Sequence, residues 1–284
     1  MQMQLFFELK ASHVPDNFTK LKKQQIIAVS NQKGGVGKTT TSINLGTALA
    51  AIGRKVLIID LDSQGNASTG LGIFQDQRKL TTYDLLLGDA DLAEISQESP
   101  VPGLFVAPST IDLSSADVDL VEDRNRVLRL RDALTTPAAL ACSYDYILID
   151  CPPSLNLLTV NAMVAANSVL VPLQCEFFAL EGLSQLMMTI REVRQTLNPA
   201  LEIQGVVLTM YDRRNNLSRQ VEEDVRKNLG ELVYETTIPR NIRLSEAPSH
   251  SIPALIYDHK SAGAIAYQKL AGELLRRLND PILP

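Results

Sequence analysis

The octet Lys33-Gly34-Gly35-Val36-Gly37-Lys38-Thr39-Thr40 lies between two elements of different kind. Ahead of it, Ile26-Ile27-Ala28-Val29 is a short continuous apolar run, the pattern of a buried strand. Behind it, Ile43, Leu45, Ala48, Leu49 and Ile52 recur along one side of a helix over 39–52. Strand, glycine loop and helix start together make a phosphate cradle. The glycines let backbone N–H groups turn inward on a polyphosphate, and the helix N-terminus adds its positive end. Lys38 then reaches the β/γ-phosphates and the Thr39 hydroxyl ligates Mg²⁺. The loop departs from the strict G-x-x-x-x-G-K-[ST] pattern, because Gln32 stands at the first glycine position and a second lysine, Lys33, sits inside. Two placements suit that extra cation: beside the triphosphate of its own subunit, or across an interface at a nucleotide held by another, as an arginine finger is.

The rest of the chain alternates strand and helix patterns. Strands are expected at 26–30, 56–60, 104–107, 146–150, 169–173, 205–210 and 233–238, and helices at 39–52, 124–141, 155–166, 181–197, 217–229 and 263–279. Short apolar strands separated by helices predict an α/β fold: a mostly parallel, doubly wound sheet with helices on both faces. Residues 1–24 read as a polar, irregular lead, and 25–284 as one domain; no internal repeat or linker interrupts it. Asp60 and Asp150 each close a strand, and open α/β sheets bind ligands at the carboxyl ends of their strands. Asp62, two residues beyond Asp60, is placed to orient a water or hold Mg²⁺ through one; the competing reading is a solvated turn acid. Asp60 reads as structural. Asp150 is placed for a water-mediated Mg²⁺ contact, with Thr39 the direct ligand, and Pro152-Pro153 stiffen the turn behind it.

Composition removes several function classes. At 284 residues, 45% of them hydrophobic, the chain is long enough to bury a large core. No run approaches the ~20 apolar residues of a membrane span, and Met1–Phe7 lacks the basic start of a signal peptide. The three cysteines, Cys142, Cys151 and Cys175, form no C-x-x-C pair and read as reduced, mostly buried thiols of a cytosolic protein. A net charge of −5 opposes indiscriminate nucleic-acid binding. Basic residues do cluster from Arg213 onward, but acids interleave, so a basic surface has to be made by folding or dimerisation. Arg219, Arg240 and Arg243 are the DNA candidates, since the planar guanidinium fork matches phosphate oxygens. The absence of interleaved aromatics disfavours single-strand stacking, leaving nonspecific, salt-sensitive contact with duplex phosphates.

Asn31-Gln32-Lys33-Gly34-Gly35-Val36-Gly37-Lys38-Thr39-Thr40-Thr41 resembles the deviant Walker A loop of the ParA/Soj chromosome- and plasmid-partitioning ATPases. Three further blocks agree in order. Asp60-Leu61-Asp62-Ser63-Gln64-Gly65-Asn66 resembles that family's D-x-D-P-Q-G-N motif, with serine in place of proline. Tyr146–Leu155 resembles its Walker B strand and switch, and Pro239–Ser249 a block of the Soj-like branch. The resemblance spans about residues 25–278.

It implies a slow, partner-stimulated ATPase using ATP and Mg²⁺. Lys33, Lys38 and Asp62 are implied to be catalytic, with Lys33 crossing the dimer interface. ATP is implied to lie on residues 33–40, with its adenine flanked near Met210 and Pro239, and Mg²⁺ near Thr39, Asp62 and Asp150. The implied partners are a second copy in an ATP-bound sandwich dimer, nonspecific double-stranded DNA, and a ParB/Spo0J-like protein; the implied location is cytoplasmic and nucleoid-associated. Two alternatives are a MinD-like membrane-positioning ATPase and a ParA-like protein positioning a protein cargo. The first lacks a basic amphipathic C-terminal anchor, since Asn279–Pro284 continues no helix well, so no stable membrane association is expected. An iron–sulfur reductase of the nitrogenase iron-protein type would need cysteines arranged differently.

Overall fold

The computed structural model describes residues 24–176 and 179–280. The expectation for a lead over 1–24 falls, apart from Gln24, outside the described residues. Seven strands are present among the described residues: β1 (Gln25–Val29), β2 (Val56–Asp60), β3 (Gln97–Glu98), β4 (Leu104–Ala107), β5 (Tyr146–Asp150), β6 (Ser168–Gln174) and β7 (Glu202–Thr209). They form one sheet in the order β3-β4-β2-β5-β1-β6-β7, parallel throughout except for the short edge strand β3. Five helices of nine or more residues occur among the described residues: α1 (Lys38–Ala51), α2 (Leu157–Ala165), α3 (Ala179–Thr196), α4 (Asn216–Leu229) and α5 (Ala262–Arg277).

Side-chain alternation along the strands divides the core in two. Ala28, Leu57, Ile59, Ile147 and Ile149 face a core closed by α2, α3 and α4. Ile27, Val29, Ile58, Tyr146 and Leu148 face the opposite core, closed by α1 and α5. Both faces are covered, which is why β2 and β5 are buried at every residue and read as unbroken apolar runs. The doubly wound expectation holds.

Register then places the site. Asp60 of β2 pairs with Asp150 of β5, and Val29 of β1 pairs with the same Asp150. The glycine loop and both strand-ending acids therefore leave the sheet side by side. Amide bonds continue the ladder past the strand ends, from Leu61 to the Asp150 carbonyl (3.0 Å) and from Cys151 to the Val29 carbonyl (3.2 Å).

Two expectations are corrected. Residues 233–238 form no strand; beside β7 and its extension they make isolated bridges, Val206 to Val233 and Tyr211 to Pro239, and separate amide bonds such as Ile238 to the Leu208 carbonyl (2.8 Å). The amides of Glu235 and Thr236 instead donate to the Glu273 carboxylate of α5, each at 2.9 Å, so a side chain takes the bonds a neighbouring strand would take. The segment packs so closely that a Cβ on Gly205, whose φ is +147°, would lie 2.6 Å from the Leu232 carbonyl oxygen. The helix expected over 124–141 is broken into a 3₁₀ turn at 126–128 and helices at 129–134 and 137–141. Thr136 caps the last of these, Pro137 occupies its first turn, and Asn161 of α2 accepts from the Leu130 amide and donates to the Arg126 carbonyl in the earlier turns. Cys151 and Cys175 are buried free thiols, and Cys142 is partly buried.

Candidate nucleotide site

The loop from Asn31 to Lys38 is shaped by two left-handed glycines, Gly35 (φ +73°) and Gly37 (φ +90°), a region L side chains rarely enter. Gly37 is the N-cap of α1 and offers no side chain, so nothing of its own covers the first amides of the helix. That is the arrangement in which a helix start receives an anion. Gly34, Val36, Thr39 and Thr40 complete the contiguous stretch singled out from the sequence. Asn31 anchors the loop entrance: its buried side chain donates to the Pro172 carbonyl (2.7 Å) and accepts from the Lys33 amide (3.0 Å).

The two lysines are placed quite differently. Lys38 is only 7% exposed, and its ammonium donates to the Lys33 carbonyl (3.0 Å) within the loop. Burial pulls it below its ordinary pKa, against the opposing charge of Asp150, which makes it a poorly solvated cation well suited to a phosphate. Lys33 is exposed, and its ammonium pairs with Glu176 just past β6 (2.5 Å).

The two strand-ending acids are fully buried. Burial raises both carboxyls above their usual range; the charge of Asp60 raises Asp150 further, while the Thr39 and Ser42 hydroxyls and Lys38 oppose it. Asp60 is fully employed. Its carboxylate accepts the Ser68 amide (2.8 Å), the Ser68 hydroxyl (2.7 Å) and the Asp62 amide (3.2 Å). It thus bends the chain after β2 and holds Asp62 forward. Asp62 is partly exposed, and its carboxylate accepts only a local bond from the Gln64 amide (3.0 Å). Asp150 accepts the Ser42 hydroxyl on one oxygen (2.9 Å), while its other oxygen, Oδ2, is buried without a hydrogen-bond partner.

That orphaned oxygen tests the fit of a cation. A buried acceptor without a donor costs about 1–3 kcal/mol, and a hydrated metal ion supplies donors. The nearby groups, Thr39, Asp62 and Asp150, are all oxygen donors. Among the described residues no set of three or more His, Cys, Asp or Glu side chains is arranged to hold a metal by itself. Mg²⁺ suits this environment, because it binds through one or two carboxylates plus substrate phosphates and keeps several waters.

Tyr211 donates its amide to the Ile238 carbonyl (3.0 Å) and Arg240 donates to the Tyr211 carbonyl (3.2 Å). The fold therefore brings the neighbourhoods of Met210 and Pro239 together, although they are far apart in sequence. Met210 itself adopts a left-handed turn (φ +49°). Arg219 and Arg240 are exposed and form no salt bridge among the described residues, although the Arg240 charge, after the Arg214 hydrogen bonds, helps lower the Asp212 carboxyl. Arg243 is shared between Glu246 (2.7 Å) and Asp258 (3.4 Å), with its guanidinium 6.0 Å from the Tyr257 ring centre. A cleft of about 420 Å³ runs alongside, between the start of α1 at Thr39, Thr40 and Asn44 and the segment near Pro248.

Sequence reasoning missed Asn31, Ser42, Ser68 and Glu176. Each is a common polar residue that also bonds a partner 8 to 143 positions away.

An AAA-domain family model matches residues 24–203. The chain is 60% identical over 256 residues to the chromosome partitioning protein ParA of Caulobacter vibrioides strain NA1000, covering 90% of this chain and 96% of that protein. It is 54% identical to the sporulation initiation inhibitor protein Soj of Bacillus subtilis strain 168, covering 88% and 98%. Among solved structures, one titled cobyrinic acid a,c-diamide synthase from Mycobacterium smegmatis, with bound ADP and magnesium, superposes with a TM-score of 0.78 at 39% identity, covering 90% and 96%. With the glycine loop, the paired strand-end acids and these similarities together, the chain belongs to the ParA/Soj family of chromosome-partitioning ATPases.

Proposed function

We propose that this chain is an ATP-timed partitioning switch. ATP binds with its phosphates on residues 33–40, and hydrolysis yields ADP and phosphate. Lys38 and the amides of the loop and helix start balance the phosphate charge. Asp62, held forward by Asp60, orients the attacking water for in-line displacement. Thr39 holds Mg²⁺ directly, with Asp150 and Asp62 acting through its waters; when bound, the ion neutralises charge on the phosphates. A solved neighbour carrying ADP and magnesium supports this ligand pair.

The observation that carries the reading is the outward placement of Lys33. Its backbone belongs to the loop, yet its side chain is 42% exposed and is held on the surface by Glu176. A lysine that leaves its own phosphate site is free to serve another. Two copies facing each other would exchange these lysines, with ATP held between them.

Such a dimer would bring the exposed Arg219 and Arg240 of two copies together as a local positive patch, although each copy carries a net charge of −5. The dimer binds duplex DNA through phosphates, independent of sequence, in the cytoplasm on the nucleoid. A ParB/Spo0J-like protein stimulates hydrolysis and releases it. No helix among the described residues is long and apolar enough to cross a membrane.

The test is sedimentation with ATP or ADP and Mg²⁺, followed by duplex binding across a salt series on two unrelated sequences. Wild type should dimerise and bind DNA only with ATP, and binding should fall steeply with salt. Lys33→Ala should retain ATP but remain monomeric, and Arg219→Glu with Arg240→Glu should dimerise without binding DNA. Normal ATP-dependent dimers in Lys33→Ala would refute the crossing lysine. Equal DNA binding with ATP and ADP would refute the switch.

A further inference from the structure

We propose that Thr209 is a positioning residue of the phosphate loop, an inference that rests on the reading of residues 33–40 as the phosphate cradle. Thr209 ends β7, which is separated from β1 by β6, yet its hydroxyl donates to the Val36 carbonyl in the loop at 2.8 Å. Both residues are buried, at 2% and 1% exposure. The bond therefore spans a whole strand of the sheet and is shielded from water.

Its consequence follows from peptide geometry. The Val36–Gly37 peptide is planar and trans, so its N–H points opposite to its C=O. Fixing the Val36 carbonyl on Thr209 fixes the Gly37 N–H in the opposite direction, away from β7. Gly37 at φ +90° cannot impose this by itself, because glycine has no Cβ to restrict rotation of the neighbouring peptide. The Thr209 methyl lies on the same side of Gly37, where a Cβ built on the glycine would sit 3.8 Å from it. The Thr209 side chain thus contributes a hydroxyl to orient the peptide and a methyl to back it. The same strand end continues into Met210 and Tyr211, so the bond fixes the separation between the loop and the segment paired with Pro239.

Thr209→Val removes the donor and keeps the shape; Thr209→Ser keeps the donor. Titration calorimetry with Mg²⁺–ATP and with inorganic tripolyphosphate, which has no base, separates the phosphate loop from the base end. Thr209→Val should weaken both ligands about tenfold, equivalent to about 1.4 kcal/mol, and Thr209→Ser should restore both. If Thr209→Val does not fold, Thr209→Ala removes the same hydroxyl. Wild-type affinity without the hydroxyl would overturn the proposal. So would a serine variant as weak as valine, or a loss confined to ATP. Lys38→Ala is titrated in parallel: if it leaves both ligands bound as in wild type, the phosphate-loop reading itself fails, whatever Thr209 does.

Discussion

Removing the surface partner of Lys33 should make dimerisation easier. Lys33 and Glu176 meet at 2.5 Å, with side chains 42% and 45% exposed. An exposed pair of this kind is worth about 0.2–1 kcal/mol, because water screens it and two long side chains must be ordered. A crossing lysine has to give up that pair before it reaches the partner's nucleotide. A symmetric dimer releases two such pairs, so the cost enters twice, about 0.4–2 kcal/mol per dimer. Glu176→Gln removes the charge while keeping the size, and should lower the ATP-dependent dimer dissociation constant by about 2-fold to 30-fold. Sedimentation velocity across a protein dilution series with Mg²⁺–ATP reads this directly. The advantage should shrink as salt is raised, since exposed charges are screened over ~10 Å at 0.1 M and less at higher salt. Without nucleotide, the variant should remain monomeric. A dissociation constant unchanged or raised by Glu176→Gln would refute the argument, showing that Glu176 does not restrain the lysine or contributes to the dimer itself.

Asp62→Ala should slow ATP hydrolysis by about 10²-fold or more and accumulate the ATP dimer on gel filtration; a monomer, or an undiminished rate, would contradict its role. Glu273 gives a pH-dependent prediction. Burial alone would raise its carboxyl, but the Thr236 and Glu235 amides and the Arg277 guanidinium outweigh burial and hold it below its ordinary value. A depressed folded-state pKa gives stability that is present above the unfolded value of about 4.3 and is lost as pH falls through the folded value. Thermal melts of Glu273→Gln should therefore fall below wild type at pH 7, by about 2 kcal/mol for lost charged hydrogen bonds, and converge with it in acid; a pH-independent gap would refute the linkage.

The legible parts of this fold are those written locally. The phosphate loop could be found because its strand, glycines, lysine and helix are consecutive. The strand-end acids could be found because both faces of β2 and β5 are buried, leaving unbroken apolar runs that stop at Asp60 and Asp150. What could not be read is pairing. Val233, Tyr234 and Ile238 are buried like strand residues, but a carboxylate 37 positions away takes the Thr236 amide, and no periodicity announces that. Arg243 looked equivalent to Arg219 and Arg240. Only the fold commits it to Glu246 and Asp258, and a guanidinium already paired has less to offer a phosphate.

The division of labour between Asp60 and Asp62 shows how local and distant information combine. The spacing alone says that one acid ends a strand and the other stands beyond it. It does not say which is available for chemistry. Ser68, eight residues on, decides this by giving Asp60 both an amide and a hydroxyl, while the Asp62 amide adds a third bond. Asp60 is then a buried hinge pin, and Asp62 keeps an oxygen free of any bond within its own turn. Asp150 is the complementary case: Ser42 of the phosphate-loop helix satisfies one oxygen and leaves the other unpaired in the interior. The phosphate loop, the turn that carries Asp62 and the orphaned acceptor are thus joined through β1, β2 and β5, which are adjacent in the sheet.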